Sequence, residues 1–493
     1  MKILLVNPKN PPTFWNFRYA LKFVPQKASF PPLSLMTVAA MLPSHYEVKL
    51  VDMNVRRLKN KDILWADYVF LTAISVQQES VKEIIKRCKN LGAKIVAGGP
   101  HFTKNYKSIT GVDHFVLGEA ETIMQTFLED LEAGKAKYIY KAESLPDLSL
   151  TPTPIWQLSK RKQYVSMSVQ YSRGCPFNCE FCDITVLYGR KVRTKGKDQI
   201  IAELQSLYDW GWRGPVFFVD DNFIGNKKKL KQEVLPAIIT WMQEHNNPFT
   251  FNTEVSINLS DDDELIEMMV KAGFNTVFVG IESPNEDSLA ECNKYQNKNR
   301  DLIACINKLH RMGLEVQGGF IVGFDSDPPS IFDRVIDFVQ KSKIVTAMVG
   351  LLNAPIGTRL YQRLSKEGRM KDGFTGVNTD LSINFIPKMD YKKLIEGYKK
   401  IVNTIYSPKY YYKRVKQFLK EFNPLAEGKR KITFRDIKAF LKSVIRLGII
   451  GRERVQYWKL FFWSLFRSPR KLPYAVRLSI LGFHFRKIFK KLR

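Results

Sequence analysis

The chain has 493 residues, of which 45% are hydrophobic and 25% charged, so it can bury two or three cores and is not wholly disordered. Its six cysteines are too sparse for a disulfide framework, which indicates a reducing compartment. The formal net charge is +29, and residues 429–493 carry 19 lysines and arginines against two acidic residues. The excess charge therefore predicts a separate basic tail rather than a uniformly basic protein.

Residues 1–132 alternate short apolar runs with helical patterns. The first run ends at Pro8 and is too short for a signal peptide, and no apolar stretch reaches the roughly 20 residues that span a bilayer, so we expect a cytoplasmic protein. The alternation predicts an α/β domain with a doubly wound parallel sheet. The predicted strands are 3–6, 48–51, 68–73, 95–97 and 115–117, and the predicted helices are 33–42, 81–91 and 122–131.

Polar residues and glycines follow these strands at their carboxyl ends, where parallel sheets of this type bind ligands. Glycines there let a backbone approach a ligand closely, although turn formation is the simpler explanation. His101 is a further candidate, and a structural role in the turn is its alternative. The candidate binding residues are Asp52, Asn54, Ser75, Gly98, Gly99, Gly118 and Glu119.

A proline-containing linker over 133–163 precedes a second domain over 164–373. Six strand–helix repeats in this domain predict a partial (β/α)6 barrel with its site at the carboxyl ends of the strands. The predicted strands are 164–170, 216–219, 249–255, 276–280, 316–322 and 347–352, and the predicted helices between them are 199–210, 230–244, 262–272, 302–312 and 330–341.

Cys175, Cys179 and Cys182 follow the first strand of the barrel with the spacing Cys-x3-Cys-x2-Cys. Thiolates are the ligands of iron–sulfur clusters, and three of them leave one iron of a [4Fe–4S] cluster open to a small molecule. A structural zinc ion completed by a distant histidine is the alternative. The other cysteines lie in helical patterns and are predicted to be buried, inert thiols: Cys88, Cys292 and Cys305.

This cysteine motif, with Phe181 and the run Gly174-Cys-Pro, resembles that of the radical S-adenosylmethionine (radical SAM) family. In that family the open iron chelates the amino and carboxylate groups of SAM. Residues 1–132 resemble the cobalamin-binding domain that precedes many radical SAM domains. Where such domains ligate cobalt through Asp-x-His-x-x-Gly, this chain has Asp52-Met53-Asn54. The resemblance thus implies a [4Fe–4S] cluster, SAM and a cobalamin with no protein histidine on cobalt.

Carboxylates at the predicted strand ends could pair with the ammonium group of SAM, and helix capping is the alternative for the first group. Their recurrence on successive strands favours a cofactor site, whereas no general base follows from the sequence. With the glycine-bearing fifth strand of the resembling family, the candidate SAM residues are Asp220, Asp221, Asn222, Glu254, Ser256, Glu282 and Gly323.

Beyond the barrel, residues 374–428 predict an aromatic helical extension that caps the barrel in the resembling family, with a packing helix pair as the alternative. Residues 429–493 predict basic amphipathic helices rich in Trp and Phe, which are typical of anionic membrane surfaces. We expect peripheral association with the inner face of the membrane. An RNA-binding arm and a solvated helical hairpin are the alternatives, nucleic acid being the less favoured partner.

The resemblance is to the cobalamin-dependent radical SAM branch that includes the hopanoid A-ring methylase. It implies a C-methyltransferase acting on an unactivated carbon of a hydrophobic, lipid-like substrate, with an electron donor such as flavodoxin or ferredoxin. The alternatives are an oxidative cyclase or rearrangement enzyme, an RNA-modifying methylthiotransferase and a non-catalytic corrinoid-binding scaffold. Methylthiotransferases carry three further N-terminal cysteines, whereas this chain has only Cys88 there.

Overall fold

The central strands of the N-terminal sheet are apolar runs, such as residues 3–6 and 69–71, and the computed structural model pairs all six strands of this sheet in parallel. The model describes residues 1–371, 373, 375–377, 379–424 and 434–492. They fall into two units. The first unit comprises Met1–Pro11, Lys27–Pro176 and Asp183–Val219, and the second comprises Pro12–Gln26, Phe177–Cys182 and Asp220–Arg493.

The sheet of the first unit has the strand order β2-β1-β3-β4-β5-β6. Its faces are covered by two apolar clusters, one around Leu4, Ile84 and Phe102 and the other around Ile3, Phe70 and Phe127, as a doubly wound sheet requires. The predicted fold of this domain is confirmed. The strands are β1 Lys2–Asn7, β2 Glu47–Asp52, β3 Tyr68–Thr72, β4 Lys94–Gly98, β5 His114–Leu117 and β6 Ile139–Lys141, and the α-helices are Leu33–Ala40, Asn60–Leu64, Gln78–Asn90, Pro100–Asn105 and Met124–Glu132.

Strand β6 corrects the predicted linker, which was to begin at residue 133. Its three residues pair in parallel with β5. The Tyr140 side chain is buried against the sheet and its hydroxyl donates to Asp130 Oδ2 at 2.7 Å, which anchors the strand there. A strand of three residues with a single inward side chain has too little periodicity to be recognised in sequence. The rest of the predicted linker contains the short 3₁₀ turns Leu148–Leu150, Trp156–Leu158 and Arg161–Gln163.

All six strands predicted for the second domain are present. In the first unit β7 and β10 pair in parallel, and in the second unit β11, β12, β13 and β14 pair in parallel in that order. The strands are β7 Met167–Val169, β8 Ser172–Arg173, β9 Arg193–Thr194, β10 Gly214–Phe218, β11 Phe249–Val255, β12 Phe274–Glu282, β13 Glu315–Val322 and β14 Ala347–Leu351, and the α-helices are Ile184–Tyr188, Lys197–Asp209, Lys227–Lys229, Leu235–Glu244, Asp263–Lys271, Glu286–Glu291, Leu302–Arg311 and Ile331–Lys341, with a π-helix at Leu230–Val234.

The C-terminal part of the second unit is helical, as predicted, but its last helix is not a separate tail. Tyr411 donates a hydrogen bond to Leu478 O at 2.7 Å, and Tyr406 stacks on Phe489 at 5.5 Å, so the last helix packs into the aromatic extension. The predicted boundary at 428/429 lies outside the described residues. The α-helices are Arg359–Lys366, Tyr391–Ile405, Pro408–Glu421, Phe434–Ser443, Arg454–Arg467 and Leu472–Phe489, with a π-helix at Val444–Ile449. In the described part of the chain, no helix has the length and apolarity to cross a bilayer.

His484 predicts an acid-sensitive contact within the second unit. Its Nε2–H donates to Phe14 O at 2.9 Å, and its Nδ1 accepts from Tyr19 N–H at 3.3 Å, so the buried neutral ring is fully satisfied. Burial lowers the pKa of His484 from 6.5 to about 4, so the unfolded chain binds the proton first as pH falls below 6.5. Stability should fall by up to about 1.4 kcal/mol per pH unit until about pH 4.

This loss should be smaller in His484→Gln, whose amide can make both hydrogen bonds but does not titrate. Urea unfolding at pH 7.5 and 5.5 measures it. Other acid-sensitive groups, His310 included, are shared by both proteins, so the difference between their pH slopes isolates His484. Equal slopes would contradict the assignment.

Candidate functional site

The three motif cysteines lie on one loop between β8 and the helix Ile184–Tyr188. None of the six cysteines is in a disulfide, and these three are half-buried. Cys182 N donates to Cys179 O at 3.2 Å, and Cys175 N donates to Gly189 O at 3.3 Å. The segment Cys179–Cys182 thus forms a turn, and the three partly accessible sulfurs belong to eight consecutive residues.

Glu180, in the middle of this loop, is fixed by both its backbone and its side chain. Its N–H donates to Cys292 O at 2.9 Å, its carbonyl accepts from Leu360 N at 3.0 Å, and Arg363 donates to both carboxylate oxygens at 2.9 and 3.1 Å. A bidentate guanidinium is the geometry that best fixes a carboxylate. The motif therefore carries its own anchor between two of its cysteines.

Cys292 reaches the loop through its backbone only. Its thiol is buried with Phe324, Leu352 and Leu360, and burial first, then the charge of Glu282, raises its pKa well above its usual range. A thiol that resists ionisation is a poor metal ligand. The prediction that Cys292 is buried and inert is consistent with this position, as it is for Cys88, whereas Cys305 is half-buried.

The donor set suits an iron–sulfur cluster, because soft thiolates are its ligands. Among the described residues, no three His, Cys, Asp or Glu side chains meet at a point where they could hold one metal ion. That finding concerns single ions, since each cysteine of a cluster binds a different iron. The three thiols therefore fit the implied group by chemistry and by their common loop.

Gly174 sets the start of the cysteine loop. Its φ is +89°, and a Cβ there would lie 2.8 Å from Lys191 O and 3.0 Å from Gly189 O. We expect Gly174→Ala to lower iron incorporation several-fold, because the loop must shift to relieve contacts with two carbonyl oxygens. Iron and sulfide per chain after anaerobic reconstitution measure this effect.

Gly134→Ala is the matched control, since Gly134 has φ +68° but nothing within 4 Å of an added Cβ. Equal iron content in both variants would contradict a requirement for glycine at 174. If only Gly174→Ala loses iron, the cause is the collision of the added Cβ with the two carbonyl oxygens, because both variants share the cost of a left-handed backbone.

Three carboxylates of the second unit lie near one another, two at the start of this unit's segment after residue 219 and one near the end of β11. Asp220 is buried and Asp221 half-buried after β10, and Glu254 is half-buried near the end of β11. Burial first, then repulsion by Asp221 and Asp220, raises the pKa of Glu254 to about 8, and Lys294 opposes this shift. Such a group attracts a cation, which would return Glu254 to its charged form, so the residues fit the ammonium group of SAM.

Within the second unit, Asn222 and Ser256 join the segment 220–222 to the end of β11. Asn222 Nδ2 donates to Ser256 Oγ at 3.2 Å, and Ser256 N donates to Asn222 Oδ1 at 3.2 Å. Asn222 stands at the start of the 3₁₀ turn Phe223–Asn226 without a side-chain capping bond. Asn222 therefore does not have the helix-capping role considered for residues 220–222. Its hydrogen bonds to Ser256 instead fix the segment that carries Asp220 and Asp221.

Glu282, at the end of β12, forms a buried ion pair with Lys294 Nζ at 2.8 Å. A side chain at Gly280 would collide with both partners, and Glu282 itself has φ +64°. Sequence reasoning named Glu282 but missed Lys294. The available signal was the polar run Asn293-Lys-Tyr-Gln-Asn297 soon after a strand end, in which Gln296 Nε2 also lies 3.9 Å from Cys179 Sγ.

Gly323 follows β13 with φ +108°, and the turn it opens is held by Asp327. Asp327 Oδ2 accepts from Gly323 N at 2.8 Å and from Phe324 N at 3.1 Å, and Ser288 donates to Oδ1 at 2.7 Å. Burial raises the pKa of Asp327 to about 6 against the effect of these bonds. The glycine therefore serves a defined turn at the strand end.

Asp52 and Asn54, at the end of β2 in the first unit, belong to a buried hydrogen-bond network. Asp52 Oδ1 accepts from Asn7 Nδ2 at 3.0 Å and from Asn54 N at 2.9 Å, and Tyr164 donates to Oδ2 at 3.0 Å. Burial raises the pKa of Asp52 although these bonds lower it. The two side chains hold the strand-end loops rather than pointing an unused polar atom outward.

The glycines of the neighbouring strand ends are held by close contacts. Gly99 has φ +91° and Gly118 φ +97°, and a Cβ at Gly98 would lie 2.9 Å from Val116 O. Ser75 is half-buried in the turn after β3. An edge without side chains at three positions lets a flat ring approach the backbone, so these residues fit a corrin.

Glu119 and His101 are both buried and already have polar partners within the protein. The Glu119 carboxylate is buried and paired with Arg173 at 2.5 Å and Arg193 at 2.6 Å. His101 is buried, its pKa is lowered by burial, and Asn105 Nδ2 lies 3.4 Å from its Nδ1. Sequence reasoning missed both arginines, whose partner is distant along the chain.

Comparison with protein families matches three models to this chain. They are the B12 binding domain over residues 26–128, the Radical SAM superfamily over 169–339, and a domain of unknown function, DUF4070, over 358–493. The predicted cobalamin-binding and radical SAM domains are thus confirmed. The third model covers the C-terminal helices.

Similar curated proteins include an uncharacterized methyltransferase of Synechocystis sp., 39% identical over 98% of this chain and 91% of that protein. The hopanoid C-2 methylase of Rhodopseudomonas palustris is 30% identical over 95% of this chain and 90% of that protein. Among solved structures, the radical SAM methyltransferase TsrM of Kitasatospora setae, with cobalamin and a [4Fe–4S] cluster bound, has a TM-score of 0.62 at 16% identity, over 97% of this chain and 99% of that one. This chain therefore belongs to the cobalamin-dependent radical SAM methyltransferases, enzymes that use a [4Fe–4S] cluster, SAM and cobalamin.

Proposed function

We propose that Cys175, Cys179 and Cys182 hold the [4Fe–4S] cluster. Their spacing on one anchored loop and their half-buried thiols, which are not in disulfides, support this assignment, as does the burial of the Cys292 thiol. When bound, the cluster and SAM supply radical chemistry and cobalamin supplies the methyl group. The chain's own part is to hold the three sulfurs in place through the contacts of Glu180.

For SAM, we infer that Asp220, Asp221 and Glu254 bind its cationic amino group. The raised pKa of Glu254 supports this role, because a bound cation would relieve the repulsion among the three carboxylates. Asn222 and Ser256 would hold the segment 220–222 against the end of β11. Glu282 would act through its pair with Lys294, and Gly323 would leave room at its turn for the nucleoside.

For cobalamin, the candidate residues remain those at the strand ends of the first unit. Ser75, Gly98, Gly99 and Gly118 would allow the corrin to approach the backbone, while Asp52, Asn54 and Glu119 would fix the surrounding loops through their hydrogen bonds and ion pairs. The residue two positions after Asp52 is Asn54 rather than a histidine, which supports a cobalt without a protein imidazole at that position.

We propose C-methylation of an unactivated carbon in a hydrophobic, lipid-like substrate. The observation that carries this proposal is the 30% identity to a hopanoid C-2 methylase over nearly the whole of both chains. An electron donor such as flavodoxin or ferredoxin would reduce the cofactors, and the basic C-terminal helices would bring the enzyme to the cytoplasmic membrane surface.

The test is incubation of the anaerobically reconstituted full chain with cobalamin, a reductant, a bacterial lipid extract and SAM labelled in its methyl group. We expect a labelled nonpolar product that is heavier than its precursor by one CH2 and that depends on cobalamin. An unlabelled product formed by cyclisation, or label found only in added RNA, would contradict the proposal.

A further inference from the structure

The helical segment Phe434–Ile449 carries an apolar stripe that no described residue of the chain covers. Phe434, Ile437, Leu441, Ile445 and Ile449 recur every three or four residues and leave between 47% and 80% of their surfaces exposed. This spacing places them on one helix face. Single exposed apolar residues are ordinary, but a continuous row of five requires a partner.

The opposite face of this segment is fixed by its own packing. Phe440 stacks on Phe461 at 5.6 Å, Ser443 Oγ lies 2.8 Å from the Tyr457 hydroxyl, and the Trp458 indole donates to Gly448 O at 3.0 Å. Because these contacts determine how the helix is rotated, the exposed stripe is its remaining face and not a misplaced core face.

The next helix, Arg454–Arg467, repeats the pattern. Val455, Phe462 and Phe466 are exposed, and Phe462 stacks on Phe466 at 6.3 Å. Ile450, in the connection between the two helices, is 75% exposed. We call these residues, together with the five of the preceding stripe, the apolar face.

Cations border the apolar face, and acids are nearly absent from it. Arg435, Lys438, Arg446, Lys459 and Arg467 are exposed on the same two helices. Between residues 434 and 471 the acidic residues are Asp436 and Glu453, and Glu453 is buried in an ion pair with Arg486 at 2.6 Å. The face is therefore apolar with a cationic border.

We propose that the apolar face docks on the surface of an anionic lipid bilayer and inserts its Ile, Leu and Phe side chains at the boundary between headgroups and acyl chains. An amphipathic helix with cations beside an apolar stripe binds such a surface in two ways. Its apolar side chains are buried among the acyl chains, and its cations are attracted to the anionic headgroups. The inference deepens the proposed function, because a lipid-like substrate would reside in that bilayer.

Charge and side-chain type favour this occupant over two others. RNA is bound by stacking on aromatic rings and by cations, whereas six of the nine residues of the apolar face are aliphatic and would add nothing to stacking. A second copy of the chain would bring two cationic borders together, which costs free energy. Anionic headgroups complement the border, and acyl chains complement the stripe.

Flotation of the purified full chain with vesicles tests the proposal. We expect co-flotation with vesicles of phosphatidylcholine and phosphatidylglycerol, weaker binding to phosphatidylcholine alone, and weakening by salt. Leu441→Ser/Ile445→Ser should lower the partition coefficient at least about tenfold. The matched control is Leu64→Ser/Leu150→Ser, which alters two equally exposed leucines elsewhere and should bind as the unmodified chain does.

No flotation of the unmodified chain, or equal loss in both double variants, would overturn the proposal. So would vesicle-independent RNA binding, or self-association seen in sedimentation, that Leu441→Ser/Ile445→Ser abolishes. Vesicle binding requires no turnover, so it can succeed or fail independently of methyl transfer to a lipid. Iron content equal to that of the unmodified chain shows that the double variant is folded.

Discussion

Cys179→Ala is expected to abolish SAM cleavage and to leave cobalamin binding intact. The substitution removes one of three thiolates, and with two ligands the cluster has no stable attachment to the chain. The cobalamin candidates lie on the sheet of the first unit and do not include this loop. We therefore expect iron per chain to fall to a small fraction of its normal value, deoxyadenosine formation to be lost, and cobalt per chain to stay unchanged.

The matched control is Cys292→Ala, which removes a cysteine whose backbone contacts the same loop. Its thiol is buried among apolar side chains and donates weakly to Leu289 O at 3.6 Å, so its loss should cost about 1 kcal/mol of stability and no iron. Anaerobic iron, sulfide and cobalt analysis of both variants separates the two cysteines. Normal iron in Cys179→Ala, or lost iron in Cys292→Ala, would refute the ligand assignment.

The sequence predicted β1, β3 and β4 well because their inner side chains are buried on both faces of the sheet. Strands β1, β3 and β4 are apolar runs with polar boundaries, and β11 is predicted at both ends as it is observed. The cysteine motif was equally readable, because its chemistry depends on local spacing. These features need no knowledge of which distant segments meet.

Features that depend on distant contacts were not predictable. Lys294 pairs with Glu282 across a helix and a turn, and Glu119 is neutralised by Arg173 and Arg193, more than 50 residues away. In sequence, the last helix resembles part of a basic tail, because Arg477, Arg486 and Lys487 stand among its apolar residues. The hydrogen bond from Tyr411 to Leu478 O and the stacking of Tyr406 on Phe489 show that it belongs to the core of the second unit.

Lys294→Met is expected to be the most destabilising single change in the polar site of the second unit. It leaves the Glu282 carboxylate buried without its cation, and breaking a buried pair in this way costs about 3–5 kcal/mol. The pair lies directly beside Gly280, where any side chain would collide with both partners. Urea unfolding of the cofactor-free protein should show a clearly lower midpoint.

Glu282→Gln/Lys294→Met provides the decisive comparison, because it removes both charges and keeps the shape of Glu282. The double variant should be more stable than Lys294→Met alone, with a coupling energy of up to about 3 kcal/mol between the two sites. Lys298→Met changes a half-buried lysine of the same loop, whose ammonium lies 5.9 Å from the Tyr295 ring centroid, and should lower the midpoint far less than Lys294→Met does. If the double variant were instead as unstable as the sum of its single changes, the ion pair would not be what holds the end of β12 against the loop that carries Lys294.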